Sequence, residues 1–327
     1  MKRYRVLVYA SIVAIGCLQA HAQDSMDGVV DVIRKANGGG MQISACSALE
    51  SINRRTSNPE KEKKRLEAIR FVEQKLKNQD PTMWRARGDV ARKGMFGYPK
   101  DEASALKFYE KSKAPESGLN AALMLYHTTD IASNPENAKR VINILHRSGA
   151  SKDDSRGSTG AQAHYIAGII YEAGATGTAD LPRAFKHFRA SARNAYVPGA
   201  YRYLRLLTQS LPKLSDGERQ GALQEIRIMV KRWSWQSPDI MMLHGDLYAG
   251  KWFPDEADGF FAQYYWRVAS KMTGAKEATD WDEALQKRLK PLSKEKEKRV
   301  NEAVDAAMRN NVVNIDHPLE FIDLCVD

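Results

Sequence analysis

Three stretches of this chain repeat one another, and that repetition limits what the chain can fold into more than any other feature. Trp84-Arg-Ala-Arg-Gly88-Asp-Val-Ala91-Arg-Lys-Gly94, His164-Tyr-Ile-Ala-Gly168-Ile-Ile-Tyr171-Glu-Ala-Gly174 and Met241-Met-Leu-His-Gly245-Asp-Leu-Tyr248-Ala-Gly250 align without gaps over their first turns. Each is followed by an acid near a turn, at Asp101, Asp180 and Asp255, and then by a second apolar-periodic segment beginning at Ala105, Ala184 and Ala262. The first glycine precedes that alanine by 16 or 17 residues in all three. Degenerate copies lie between them, Ala121–Tyr126 followed by Ala138–Ile142, and Ala200–Leu204 followed by Ala222–Val230. Starting points near 84, 121, 163, 200 and 240 give a period that fits one helix pair with its turns.

Physical chemistry gives each recurring residue a role. A glycine inside a helix costs about 1 kcal/mol relative to alanine, so its recurrence implies a close approach of another element. The expectation is that Gly88, Gly168 and Gly245 face Ala105, Ala184 and Ala262 of the second helix, and that Tyr109, Phe188 and Trp266 fill the space between successive pairs. The second glycine of each segment is placed to end the first helix in a left-handed cap. Asp101, Asp180 and Asn134 are placed to cap second helices, and Pro135 and Pro182 fall within a first turn, where proline costs little. One such pair cannot bury its apolar face alone, whereas a stack can.

These residues resemble the Sel-one-like repeat, a relative of the tetratricopeptide repeat. The best match is Ala262-Gln-Tyr-Tyr-Trp266-Arg-Val-Ala-Ser-Lys-Met-Thr-Gly274-Ala-Lys-Glu-Ala278, and the resemblance covers about 84–309. It implies an all-α fold, a right-handed α/α solenoid of about five helix pairs. The expected organisation is a leader over 1–22, an N-terminal helical cap over 23–83, the solenoid over 84–279, and a closing helix and tail over 280–327. Within the closing region, Trp281–Arg309 carries Leu285, Leu289, Leu292, Val300 and Val304 as an apolar stripe. In 23–83 the sequence predicts helices over Met26–Lys35 and Glu60–Lys77, packed on the first pair or reaching out as an arm.

The leader has three parts: Met1–Arg5 with three cations, apolar Val6–Leu18, and Ala20-His21-Ala22 as a cleavage site before Gln23. An apolar run of about 13 residues is short of the roughly 20 that a membrane-spanning helix needs. A periplasmic, released protein is expected, with acylation at Cys17 as the alternative. The formal charge of +10 loses the three cations of Lys2, Arg3 and Arg5 with the leader. A basic exported chain is expected to meet an acidic protein, a phospholipid headgroup or an anionic polymer, and not nucleic acid. Cys46 and Cys325 remain, either as a disulfide or as free thiols. A bridge closing so long a loop would stabilise the fold by roughly 5 kcal/mol in the chain-entropy model.

No catalytic constellation is present. Gly-x-Ser-x-Gly, His-Glu-x-x-His, Cys-x-x-Cys and the full phosphate-cradling Gly-x-x-x-x-Gly-Lys-Ser/Thr are all missing, since Gly245-Asp-Leu-Tyr-Ala-Gly250-Lys251 is followed by Trp252, and no cofactor or metal is implied. The histidines are scattered, although His164 and His187 could meet within one pair. Trp233-Ser-Trp235 and Trp252-Phe253-Pro254 are aromatic features expected in the core of the array, with binding anchors as the alternative. By the tetratricopeptide likeness, the first helix of each pair lines a concave surface. Residues one place after the packing positions, Arg85, Asp89, Arg92, Tyr165, Glu172 and Asp246, are then expected to be exposed there as partner contacts. The expected function is an exported, non-catalytic scaffold for a protein partner in a bacterial periplasm or envelope. The alternatives are an immunity protein that neutralises an antibacterial secreted effector, such as a type VI secretion phospholipase, and an enzyme acting on wall polymers.

Overall fold

The computed structural model describes residues 57–77, 84–95, 98–150, 158–252, 257–272, 283, 287–288 and 290–310. The leader, Cys46, Cys325, Asp255, Leu285 and Leu289 lie outside the described residues. Those described are helical and carry no strand. The chain divides after Ser151 into two compact units.

In the first unit α1 (Pro59–Lys77) is followed by α2 (Trp84–Lys93), α3 (Glu102–Lys111), α4 (Pro115–Thr128) and α5 (Pro135–Leu145). In the second come α6 (Ser158–Glu172), α7 (Leu181–Arg193), α8 (Val197–Ser210), α9 (Asp216–Trp233), α10 (Pro238–Tyr248), α11 (Gly259–Met272) and α12 (Lys294–Asn310). Within each unit the helices pack as successive hairpins, α2 on α3 and α4 on α5, then α6 on α7, α8 on α9 and α10 on α11. Each hairpin also touches the next in its unit, which is the layering of an α-solenoid.

The sequence dictates where these helices begin and end. Asp101 accepts a hydrogen bond from the Ser104 amide (2.9 Å), Asn134 from Glu136 (3.1 Å) and Asp180 from Arg183 (3.0 Å), each satisfying an orphan donor of a second helix. For α11 the same service comes from Asp258, which accepts from the Phe260 amide at 2.8 Å. Gly94, Gly174 and Gly250 end the first helices at φ of 66°, 72° and 76°, a left-handed conformation that a side chain resists.

The packing of the recurring glycine differs from the expectation. Its nearest neighbour is the aromatic ring of the second helix and not the alanine. A Cβ on Gly88 would lie 2.4 Å from the Tyr109 ring, one on Gly168 would lie 2.5 Å from Phe188, and one on Gly245 would lie 2.1 Å from Trp266. The rings therefore lie across the first helix of their own pair instead of filling the space between pairs. A large flat side chain gains most contact by lying on bare backbone, and glycine alone leaves that backbone bare. All three rings are buried, as are Ala105, Ala184 and Ala262 beneath them.

Ion pairs cross from one hairpin to the next and, at the end of the second unit, from α11 to α12. Glu110 takes Arg140 at 2.6 Å, Arg189 holds Glu225 at 3.3 Å, and Arg267 holds Glu297 at 2.7 Å. At the end of the second unit Val300 and Val304 of α12 join Met241, Trp266, Val268 and Met272 in one apolar cluster, with Leu292 packed against it.

Candidate interaction face

Four of the six residues expected on an exposed face are buried. Arg85, Asp89 and Asp246 are each 4% exposed and Tyr165 is 5% exposed. The next helix covers them. Arg85 lies against α4, its guanidinium donating to Glu116 at 3.4 Å, and burial lowers its pKa. Asp89 accepts from the Tyr109 hydroxyl at 2.5 Å, and Arg92, half-buried, donates through Nε to the same oxygen at 3.3 Å. Burial pushes the Asp89 carboxyl up, and burial together with that carboxylate holds the Tyr109 phenol well above its usual range. Tyr165 sits between Phe188 and Tyr196 at centroid distances of 6.0 and 5.3 Å.

Asp246 is the counterpart of Asp89, one residue after the ring-bearing glycine. It accepts from Trp266 Nε1 at 3.3 Å, from Arg288 at 2.6 Å and from Lys251 at 3.1 Å. Where the ring has no polar atom, at Phe188, the corresponding residue is Ile169 and not an acid. The acid at this position thus answers the ring of its own pair.

Glu172 is half-buried and receives both Arg202, at 3.2 Å, and Arg205 from α8. Those two arginines belong to a run that sequence reading passed over. From Leu181 to Ser215 the chain holds Arg183, Lys186, Arg189, Arg193, Arg202, Arg205 and Lys213, with no acid among them. Beside them on α8, Tyr201 has a raised pKa, first from burial and then from Asp239, while Arg205, Arg202 and Arg288 oppose the rise. Glu172, Tyr201, Arg202, Arg205, Asp239 and Arg288 thus form one polar cluster on the first-helix side of the second unit. The three arginines keep 31%, 37% and 39% of their side chains exposed. The missed signal was the acid-free stretch, hidden because the repeat containing α8 is one of the two degenerate copies.

Two histidines meet as the sequence allowed. His164 and His187 face each other with their Nδ1 atoms 3.0 Å apart, one ring donating and the other accepting. Tyr171 stacks on His187 at 5.4 Å. Among the described residues no group of three or more His, Cys, Asp or Glu is arranged to hold a metal ion. No helix among them is long and apolar enough to cross a membrane.

In structure the chain is similar to Sel-one-like repeat proteins. A Sel1 repeat protein from Oxalobacter formigenes is similar over 74% of this chain and 94% of its own, with a TM-score of 0.47 and 19% identity. A protective antigen of uropathogenic Escherichia coli strains, displaying an SLR fold, is similar over 91% of this chain and 74% of its own, with a TM-score of 0.41 and 12% identity. No family model matches the chain, and neither does any curated protein.

Proposed function

We propose that the protein is an exported, non-catalytic scaffold that holds a protein partner in the bacterial periplasm or envelope. The observation that carries this reading is the braced arginine cluster of the second unit. Arg202 and Arg205 of α8 are held by Glu172 of α6, and Arg288 is held by Asp246 of α10. Guanidinium groups set in place before an encounter present planar donors to a partner's carboxylates with little further loss of freedom. Their remaining exposure makes them available. Export rests on the leader-like first 22 residues.

The reading is tested with tagged full-length protein and its R202E/R205E variant, each recovered from envelope extract under native conditions. A partner retained by the native chain and lost by the variant, with the melting temperatures of the two within a few degrees, supports it. Equal recovery by both removes the arginine cluster from the function. Turnover of a wall-polymer substrate by purified protein would overturn the non-catalytic reading.

A further inference from the structure

Aromatic residues are crowded into one part of the second unit. The chain has 6 Trp, 13 Tyr and 9 Phe, and ten of these fall between Trp233 and Trp266. Several do not enter the core. Phe261 is 44% exposed, and Tyr248 and Tyr265 are half-buried. These rings form a ladder across α10 and α11. Phe261 meets Tyr248 at 5.3 Å, Tyr248 meets Tyr265 at 5.5 Å with planes 11° apart, and Tyr265 stacks on His244 at 3.7 Å.

The imidazole at the inner end of the ladder is anomalous. His244 is 4% exposed, yet neither of its ring nitrogens has a hydrogen-bond partner. A buried polar ring without partners calls for an explanation that packing does not supply, because each open nitrogen carries a desolvation cost. The charged neighbour acting on the ring is Lys231 of α9, a cation and not a carboxylate. One turn before Lys231 on the same helix face is Ile228, which is 65% exposed and the most exposed large apolar residue of those described. Arg232 and Lys231 are both exposed at the end of α9, and Lys251 lies over the Trp252 ring at 5.3 Å.

We infer that the surface made by the C-terminal half of α9, α10 and the first half of α11 docks an acidic protein segment that carries an apolar anchor residue. The inference rests on the scaffold reading and names a second contact surface for it. Phe261 offers exposed apolar surface for an anchor side chain, with Tyr248 and Tyr265 beside it in the ladder, and Ile228 adds exposed apolar surface on α9. Lys231 and Arg232, exposed at the end of α9, add positive charge to this surface, which selects carboxylates beside the anchor. A carboxylate arriving next to Lys231 offsets the cation that acts on the buried imidazole, so the His244 ring reports the docking.

The test uses the full chain with a synthetic 12-residue peptide repeating Asp-Phe-Asp-Leu, its lysine counterpart, and chitohexaose as a carbohydrate probe for the same rings. Binding is followed by fluorescence anisotropy and by the imidazole signals of His244 in nuclear magnetic resonance. The acidic peptide is expected to bind, to move the His244 signals, and to bind at least tenfold more weakly to I228S, F261S and K231Q. The lysine peptide is expected to bind at least tenfold more weakly than the acidic one. Variants that bind like the native chain, equal binding of the two peptides, or binding of chitohexaose without the acidic peptide would each overturn the inference. A chain that ignores the acidic peptide and still loses its envelope partner on R202E/R205E would remove this surface and leave the scaffold reading standing.

Discussion

The hairpins α6–α7 and α10–α11 are built on the same plan within one unit, and they differ in how they treat buried polar groups. Both lay an aromatic ring on a glycine, Phe188 on Gly168 and Trp266 on Gly245. In the first the ring is purely apolar, the following residue is Ile169, and the two buried histidines serve each other. In the second the ring has an N–H, the following residue is Asp246, and the single histidine has no partner. The glycine–ring contact is thus the constant of the repeat. The polar groups around it are a variable that each hairpin resolves, or leaves open, on its own.

The constant is attacked most directly by adding one methyl group. Gly245→Ala and Gly168→Ala place a Cβ at 2.1 and 2.5 Å from ring atoms that have nowhere to retreat. Each is expected to destabilise the second unit by about 3 kcal/mol, the upper range for overpacking a core, measured by urea unfolding. If both are tolerated, the shared plan is not what holds these hairpins together.

The variable is exposed by acid. Burial, aided by Lys231, lowers the His244 pKa from 6.5 to about 4. Its neutral form is favoured in the fold, so its contribution is complete above the unfolded value and declines as pH falls from about 6.5 towards 4. The full loss is about 3 kcal/mol at 1.36 kcal/mol per pKa unit. Stability measured over that window should slope downward in the native chain, and the slope should flatten in His244→Phe. An unchanged slope would show that the imidazole is not buried neutral.

A smaller effect sharpens the link between acid and ring. In the first unit Tyr109→Phe removes the hydroxyl that Asp89 accepts from and leaves a buried carboxyl short of a donor, which should cost about 1–3 kcal/mol. Adding Asp89→Ile should recover most of that loss, because it recreates the Ile169–Phe188 combination. A double variant as unstable as the single one would break the rule. The smallest effect has the opposite sign. Gly221 of α9 has no atom within 4 Å of a notional Cβ, so Gly221→Ala should stabilise by up to about 1 kcal/mol.

Much of this plan was legible in the residues. The 16- to 17-residue spacing, the capping acids and the left-handed glycines follow from local backbone chemistry, which sequence encodes directly. What the glycines face was not legible, because a gap beside a backbone can admit an alanine or a ring with equal economy. The ring separation of 20 or 21 residues held the answer, together with the match of Asp89 to Tyr109 and Asp246 to Trp266. The exposure expected of Arg85, Asp89, Tyr165 and Asp246 failed for a related reason. A position one residue past a packing position is turned by about 100° on the helix, enough to bring it under the neighbouring helix. Glu172 escapes full burial because the side chains that meet it are long arginines. The aromatic ladder ending at His244 was foreshadowed only by Trp233, Trp235 and Trp252, since its members come from two helices and converge only when these pack.

The cross-hairpin ion pairs also bear on how such a chain can change its length. Their polarity is not uniform. On first helices the base comes earlier in Arg85–Glu116, whereas the acid comes earlier in Glu172–Arg202. On second helices the acid leads in Glu110–Arg140, and the base leads in Arg189–Glu225 and Arg267–Glu297. A hairpin copied in tandem would therefore meet charges that were never selected to answer its own. The hairpins resemble one another as shapes yet are addressed as individuals, so the order in which they occur is written into their surfaces.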